Sequence, residues 1–473
     1  MTALLISIFV IYFFLTLFRP HWGIYMILSL LPTYQIRFEI FSLPTTFLEC
    51  LILILAIVIV LKMFLSHNHD RSQPSFKTVP QVIQNDNLVR VSRFKNILKN
   101  FPHLFILSDL FILAGVISVY TSPETLKALG LFKAYILEGV IFWFMYVILI
   151  DTKEKFFKSI TAVGVLVSYL AIFGIFQFFT LFGLPASWWG PGSEPRRVVS
   201  FYTYPNAVAL LITPVLAFFS TLLIFYKNIF PDTNQLKMKV KIEKKRGGQR
   251  ALLSKNILIF VNILGIILLV LTFSRGAWLG YIASIVMLLF FSQFRRFVFI
   301  SLILGLAVIF LIPATRNRIS PIFTGKDPAS FERVKLYKAS FQIIKESPIL
   351  GAGLYGFRSA YLEIRESEND EILNYPHNFF LNFWIETGLL GLLSILAILI
   401  WAFQFGKKIY TEKKDIQPLI LAVFAGFVVI LVHGQVDAPF FKNDLAILFW
   451  CLLALLPAIS MLYSLPEKKP TSY

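Results

Sequence analysis

Residues 271–280 read LTFSRGAWLG and set one arginine between two oily runs, NILIFVNILGIILLV (256–270) and YIASIVMLLFF (281–291). From residue 256 to residue 294 the only charge is Arg275. As one straight helix these 39 residues would extend about 58 Å at ~1.5 Å per residue. A bilayer core is only ~30 Å thick, so the segment has to turn. Ser274-Arg275-Gly276 lies near its middle, and Gly276 is expected to supply a flexible joint. Lys245, Arg246 and Lys255 precede the run, and Arg295 and Arg296 follow it. Positive flanks mark a cytoplasmic side. The hairpin therefore goes out and comes back, with Arg275 at its outer tip, because an arginine at mid-membrane costs at least ~2.5–3.5 kcal/mol. Taken alone, Arg275 is as readily an anchor that snorkels to lipid headgroups.

The composition carries this reading along the whole chain. Of 473 residues, 57% are hydrophobic, and apolar runs of about 20 residues recur throughout. Strand-period alternation is missing, which argues against a membrane barrel. The fold class predicted is all-α: a polytopic helical membrane protein of about 12–13 transmembrane helices. Two of its predicted spans are the short 22–33, paired with 2–18 as a tight hairpin or re-entrant pair, and 297–313. Cys50 and Cys451 lie inside apolar runs and suggest no disulfide framework. The net charge of +18 might suggest nucleic acid, but 26 of the 44 Lys and Arg fall in the segments 66–100, 151–158, 227–255, 293–297, 404–416 and 464–473. These alternate with spans on a single side, so the charge reports topology and anionic lipid rather than nucleic acid.

Three segments fall on the other, outer side. Residues 183–202 carry Trp188, Trp189, Arg196 and Arg197; the second is the SRG tip; the third, 314–377, is the longest. In the third, FERVKLYKASFQIIKE (331–346) spaces its apolar residues as an amphipathic helix. It is followed by the Gly-rich SPILGAGLYGFRSAY (347–361) and an acidic run at 366–371 read as a solvated face. Nine Lys and Arg in this outer segment run against the topological bias and need another explanation.

Arg196, Arg197, Arg275, Arg333, Arg358 and His377 all fall on the outer face. Guanidinium forks match phosphate oxygens bidentately and stay charged at any working pH. An arginine set in an oily mouth therefore suits an anion tethered to lipid, although each arginine singly could bind a headgroup or a carboxylate. An imidazole is the side chain that titrates nearest neutrality, and in its neutral form it can act as a general base for a hydroxyl. Glu386, nine residues after His377, falls on the opposite helix face and is read as a polar clamp between helices. Glu138 is expected to pair with Lys133, and His433 and Asp437 to brace the site. No His/Cys/Asp spacing amounts to a metal signature.

Four pieces in order resemble the O-antigen ligase and polymerase superfamily of bacterial envelope glycosyltransferases. They are PRRVVSFYTYPNAVAL (195–210), the LTFSRGAWLG tip, FERVKLYKASFQIIKESPILGAGLYGF (331–357) and HNFFLNFWIETGLLGLL (377–393). The resemblance covers about residues 160–460. It implies N-terminal transmembrane helices at 1–150, a catalytic region at 151–463 containing the extracytoplasmic loop 314–377, and a cytoplasmic tail at 464–473. It further implies an enzyme of the cytoplasmic (inner) membrane with its active site on the periplasmic face. That enzyme takes a glycan from a polyprenyl (undecaprenyl) diphosphate carrier and joins it to a lipid- or glycan-linked acceptor hydroxyl, inverting the anomeric centre without metal or other cofactor. By position, His377, Arg275 and Arg333 match the catalytic residues, and Arg196, Arg197, Arg275 and Arg358 would hold the diphosphate. Joining the glycan to an acceptor such as lipid A-core makes a ligase. Joining it to a second carrier-linked repeat makes a polymerase, and a further branch modifies protein hydroxyls. A lipid-linked glycan transporter would use the arginines for binding only and would favour internal repeat symmetry, which the sequence lacks.

Overall fold

The computed structural model describes residues 2–40, 43–69, 92–190, 195–230, 253–291, 295–296, 299–300, 302–303, 307, 311, 313–325, 327–365, 367 and 372–464. Among them, eight helices are long and apolar enough to cross a bilayer: Phe47–Phe64, Pro102–Tyr120, Thr125–Leu149, Lys153–Thr180, Pro205–Ile224, Phe379–Glu412, Lys414–His433 and Asn443–Tyr463. Leu5–Phe18, Lys255–Leu271 and Arg275–Phe291 are shorter apolar helices. The protein is thus a polytopic helical membrane protein. Pro205–Ile224 and Asn443–Tyr463 are each 89% buried and form its centre. Large apolar side chains such as Ile57, Ile106, Ile172, Phe260 and Ile400 point outward, as lipid-facing surfaces require. The one sheet among the described residues is the hairpin Arg37–Ile40 with Leu43–Thr46.

The predicted span 22–33 is instead a ten-residue helix, Pro20–Ser29, running into a tight turn at Leu31–Gln35. At ~1.5 Å per residue it is about half a bilayer core long, and Ile24, Ile27 and Leu28 are fully buried. It packs between Thr2–Phe18, Phe47–His69 and Lys153–Thr180. Most of the predicted span 297–313, the acidic run 366–371 and the tail 465–473 lie outside the described residues.

The helix Phe379–Glu412 breaks at Gly388, whose φ of 68° and ψ of −178° are not helical. The break frees backbone groups that the Gly-rich turn takes up. Leu389 N–H donates to Ile349 O at 2.9 Å, and Ala352 N–H donates to Ile385 O at 2.8 Å. A Cβ on Gly351 would fall 2.4 Å from Ile385 O, and one on Gly388 2.7 Å from Ile349 O. Both positions also have positive φ, so only glycine fits. Glu386 accepts from Tyr355 N–H and Phe357 N–H at 2.5 and 3.1 Å, clamping the start of the helix Gly356–Ile364. The segment after residue 347 is thereby fixed to the bundle, and it positions the helix Pro328–Glu346 above the late spans.

Candidate functional site

The hairpin tip closes over Thr272–Ser274, with Phe273 at φ 49°, and Arg275 already begins the returning helix. Gly276 is therefore inside a helix and is not the joint that its place in SRG predicts. Its role is clearance: a Cβ there would lie 2.8 Å from both His433 Cδ2 and Val436 Cγ2. That contact places Arg275 beside the turn 433–437, between the last two spans.

Arg275 forms a two-pronged ion pair with Asp327, at 2.8 and 2.9 Å, and also donates to Arg318 O at 3.2 Å. Asp327 at the same time caps the helix Pro328–Glu346 by accepting from Ser330 N–H and Oγ–H at 3.0 and 2.6 Å. Burial would raise the Asp327 carboxyl, but its bonds to Arg275 and Ser330 hold it below its ordinary range. Two turns along, Arg333 donates from Nε to Val436 O at 3.0 Å. One turn further, the Tyr337 hydroxyl donates to Gln435 O. Spaced at i, i+4, these two side chains lie on one helix face and grip consecutive carbonyls of the same turn.

His377 sits in a left-handed backbone conformation at φ 51°, just ahead of Asn378. Asn378 caps the next helix by accepting from Phe380 and Leu381 N–H at 3.0 and 3.1 Å. Phe379 N–H bonds Gly434 O at 2.6 Å, tying this helix start to the 433–437 turn. The His377 side chain is 29% exposed, and its Nδ1 lies 3.1 Å from Asp437 Oδ1. Asp437 is buried. Its Oδ1 also accepts from Ala438 N–H at 2.9 Å, its Oδ2 accepts from Asn206 Nδ2 at 3.3 Å, and His433 Nε2 is 3.9 Å away. Burial opposes its ionisation, but the hydrogen bond with His377, the neighbouring His433 and the Ala438 N–H outweigh it and hold Asp437 well below the ordinary carboxylate range.

The network continues into the loop 183–202. Arg197 donates from Nη2 to Asn206 Oδ1 at 2.9 Å and from Nε to Thr272 O at 2.8 Å, with its guanidinium 5.1 Å from the Trp188 ring. The order His377, Asp437, Asn206, Arg197, Thr272 thus runs from the late span back to the hairpin tip. Arg275, Arg333, Arg197 and His377 gather around one turn.

Two of the expected diphosphate ligands do not join them. Arg196 bonds the carbonyls of Phe178 and Trp189 and lies over the Phe178 ring. Arg358, in the helix Gly356–Ile364, bonds the Tyr355 hydroxyl at 3.0 Å. The expected Glu138–Lys133 pair is also absent. Lys133 pairs with Glu49 at 2.8 Å, and among the described residues neither Glu138 oxygen has a hydrogen-bond partner.

The sequence presents Asp437 as a brace and assigns no role to Asn206 or Asp327. Asp327-Pro328 carries a signal that sequence can give, an aspartate before a proline at a helix start. Asp437 and Asn206 carry none, since their partners lie 60 and 231 residues away. Among the described residues no group of three or more His, Cys, Asp or Glu could hold a metal ion.

Residues 260–396 match the family model described as O-Antigen ligase, a stretch that contains Arg275, Arg333, Arg358 and His377. This supports the resemblance to the O-antigen ligase superfamily. A Haemophilus influenzae protein named "Uncharacterized protein" is 25% identical over 255 residues, covering 46% of this chain and 63% of that relative. The chain thus spans less than two thirds of the relative's length.

Proposed function

We propose that this integral membrane protein, with its O-Antigen ligase segment at residues 260–396, is a membrane glycosyltransferase. It would move a glycan from a polyprenyl diphosphate carrier to an acceptor hydroxyl on the extracytoplasmic face of the inner membrane. The observation that carries this reading is the buried Asp437 carboxylate held 3.1 Å from His377 Nδ1, in the turn that Arg333 grips and that Arg275 abuts through Gly276.

The chemistry follows from that arrangement. Asp437 accepts the Nδ1 proton and fixes the tautomer, which leaves the Nε2 lone pair to take the acceptor's hydroxyl proton. The acceptor oxygen forms a bond to the anomeric carbon as the bond from that carbon to the diphosphate oxygen breaks. A single displacement inverts the anomeric centre. The leaving diphosphate gains negative charge, which the Arg275 and Arg333 guanidiniums stabilise where it develops. Fixed guanidinium charge serves the role a divalent cation would otherwise fill, so the reaction is metal-independent. Arg197 positions Asn206, and through it Asp437, rather than the substrate. A transporter has no use for a carboxylate-oriented imidazole.

The test supplies purified protein with a labelled undecaprenyl-diphosphate glycan and, in turn, lipid A-core glycolipid or a second carrier-linked repeat. Transfer by the native protein and none by His377→Ala supports the reading. Equal transfer by both removes the base.

A further inference from the structure

The three loops that build the His377 network carry a second set of side chains that the mechanism leaves unused. Two residues before Asn206 stands Tyr204, two before His377 stands Tyr375, and five after Asp437 stands Lys442. The Lys442 ammonium donates to the Tyr204 hydroxyl and lies 4.1 Å from the centre of that ring. Tyr204 is 37% exposed, and Lys442 and Tyr375 are half-buried. The Tyr375 hydroxyl is 3.5 Å from that of Tyr135. Phe441 packs between those two rings at 6.1 and 6.2 Å and makes an apolar floor. Asp444, two residues after Lys442, accepts from the Tyr202 hydroxyl at 2.7 Å, and Asp437 stands five residues before Lys442.

These side chains differ in character from the arginines. Arg275 and Arg333 offer fixed positive charge suited to phosphate. Around Lys442 a cation stands with two carboxylates and several phenols, a mixture that repels a diphosphate as much as it attracts one. Donors and acceptors interleaved with aromatic rings suit a neutral polyhydroxylated ring: its hydroxyls take the polar groups, and its C–H face takes the rings. The set is also pinned in place. Asn443 bonds Glu49 at 2.8 Å, and Glu49 and Lys133 hold the Leu43–Thr46 strand.

We propose that Tyr204, Tyr375 and Lys442 form the subsite for the acceptor sugar, presenting its hydroxyl to His377. This rests on the glycosyl-transfer reading above. It assigns the donor diphosphate and the acceptor to separate sets of side chains.

The test measures binding and turnover separately. Undecaprenyl diphosphate serves as the donor-side probe, and lipid A-core glycolipid or a carrier-linked repeat as the acceptor. In Lys442→Met, acceptor affinity measured without donor should fall about tenfold, as for the loss of one charge-assisted bond. The acceptor kcat/KM should fall in parallel, and undecaprenyl diphosphate binding should stay within about twofold. Tyr375→Phe keeps the ring and removes only a hydroxyl, so it tests the same point if Lys442→Met folds poorly. Loss of undecaprenyl diphosphate binding with acceptor affinity intact would overturn the assignment, as would unchanged acceptor binding in both variants. If native protein binds the acceptor but transfers nothing, the binding arm still decides the subsite, and only the enzyme reading falls.

Discussion

Asp327 occupies both prongs of the Arg275 guanidinium, at 2.8 and 2.9 Å, in the geometry that two phosphate oxygens would adopt. The same carboxylate caps the helix carrying Arg333. Under the proposed function, a diphosphate reaching Arg275 would compete with an internal anion, and its arrival would loosen the start of that helix.

Asp327→Asn separates these two roles. Asparagine caps a helix about as well as aspartate but does not compete as an anion. Undecaprenyl diphosphate should bind the variant about threefold to tenfold tighter, reflecting one exposed-to-partly-buried ion pair. Weaker binding would show that Asp327 holds Arg275 in its working position. The pH dependence has a definite sign. The Asp327 carboxyl is depressed in the folded protein, so its stabilising contribution is present above the ordinary carboxylate pKa and is lost only as pH falls through its lowered value. The difference between native protein and variant should hold across about pH 5 to 8.

Asp437→Asn should cut turnover about a hundredfold or more, within the range expected for a general base whose tautomer is no longer fixed. His377→Ala should cut it further, and undecaprenyl diphosphate binding should survive in both. Steady-state kinetics beside a direct binding measurement decides this. A large loss in His377→Ala with none in Asp437→Asn would make Asp437 a brace.

Arg333→Lys keeps the charge but loses the Nε donor to Val436 O. Because a lysine cannot reproduce the fork, kcat should fall at least about tenfold. Full turnover would show that the Arg333 fork takes no part in catalysis.

Gly276→Ala places a methyl 2.8 Å from His433 and Val436. The helix and turn would have to separate, and activity should fall although alanine is the better helix former. A variant as active as native protein would show that the turn yields freely.

Chelation with EDTA should leave transfer intact, since guanidinium groups supply the positive charge in this mechanism. Loss of activity that added Mg²⁺ restores would defeat it.

The hairpin around Arg275 is legible because a run of 39 residues with Arg275 as its only charge is too long to cross a bilayer once. The amphipathic helix was legible in part. Leu336 and Ile344 are buried as its spacing requires, but Phe331, Val334 and Phe341 stay exposed, on a face the bundle does not cover. Short helices misled, because apolar composition does not distinguish a full span from the half-span Pro20–Ser29. Pairings made far along the chain were invisible. Lys133 stands five residues before Glu138, yet it bonds Glu49, and Asp437 reads as a brace until the fold brings His377 to it. Gly276 looked like a hinge because sequence shows a glycine's freedom but not the neighbour that a side chain would strike.

The stitched gap at Gly388 bears on how the protein can be re-engineered. The turn at 347–357 and the broken late helix each complete the other's backbone bonding, so neither half is self-sufficient in an apolar surround. Exchanging the loop alone with a relative would leave amides stranded at membrane depth. A working chimera has to carry residues from the loop through the far side of the break as one cassette.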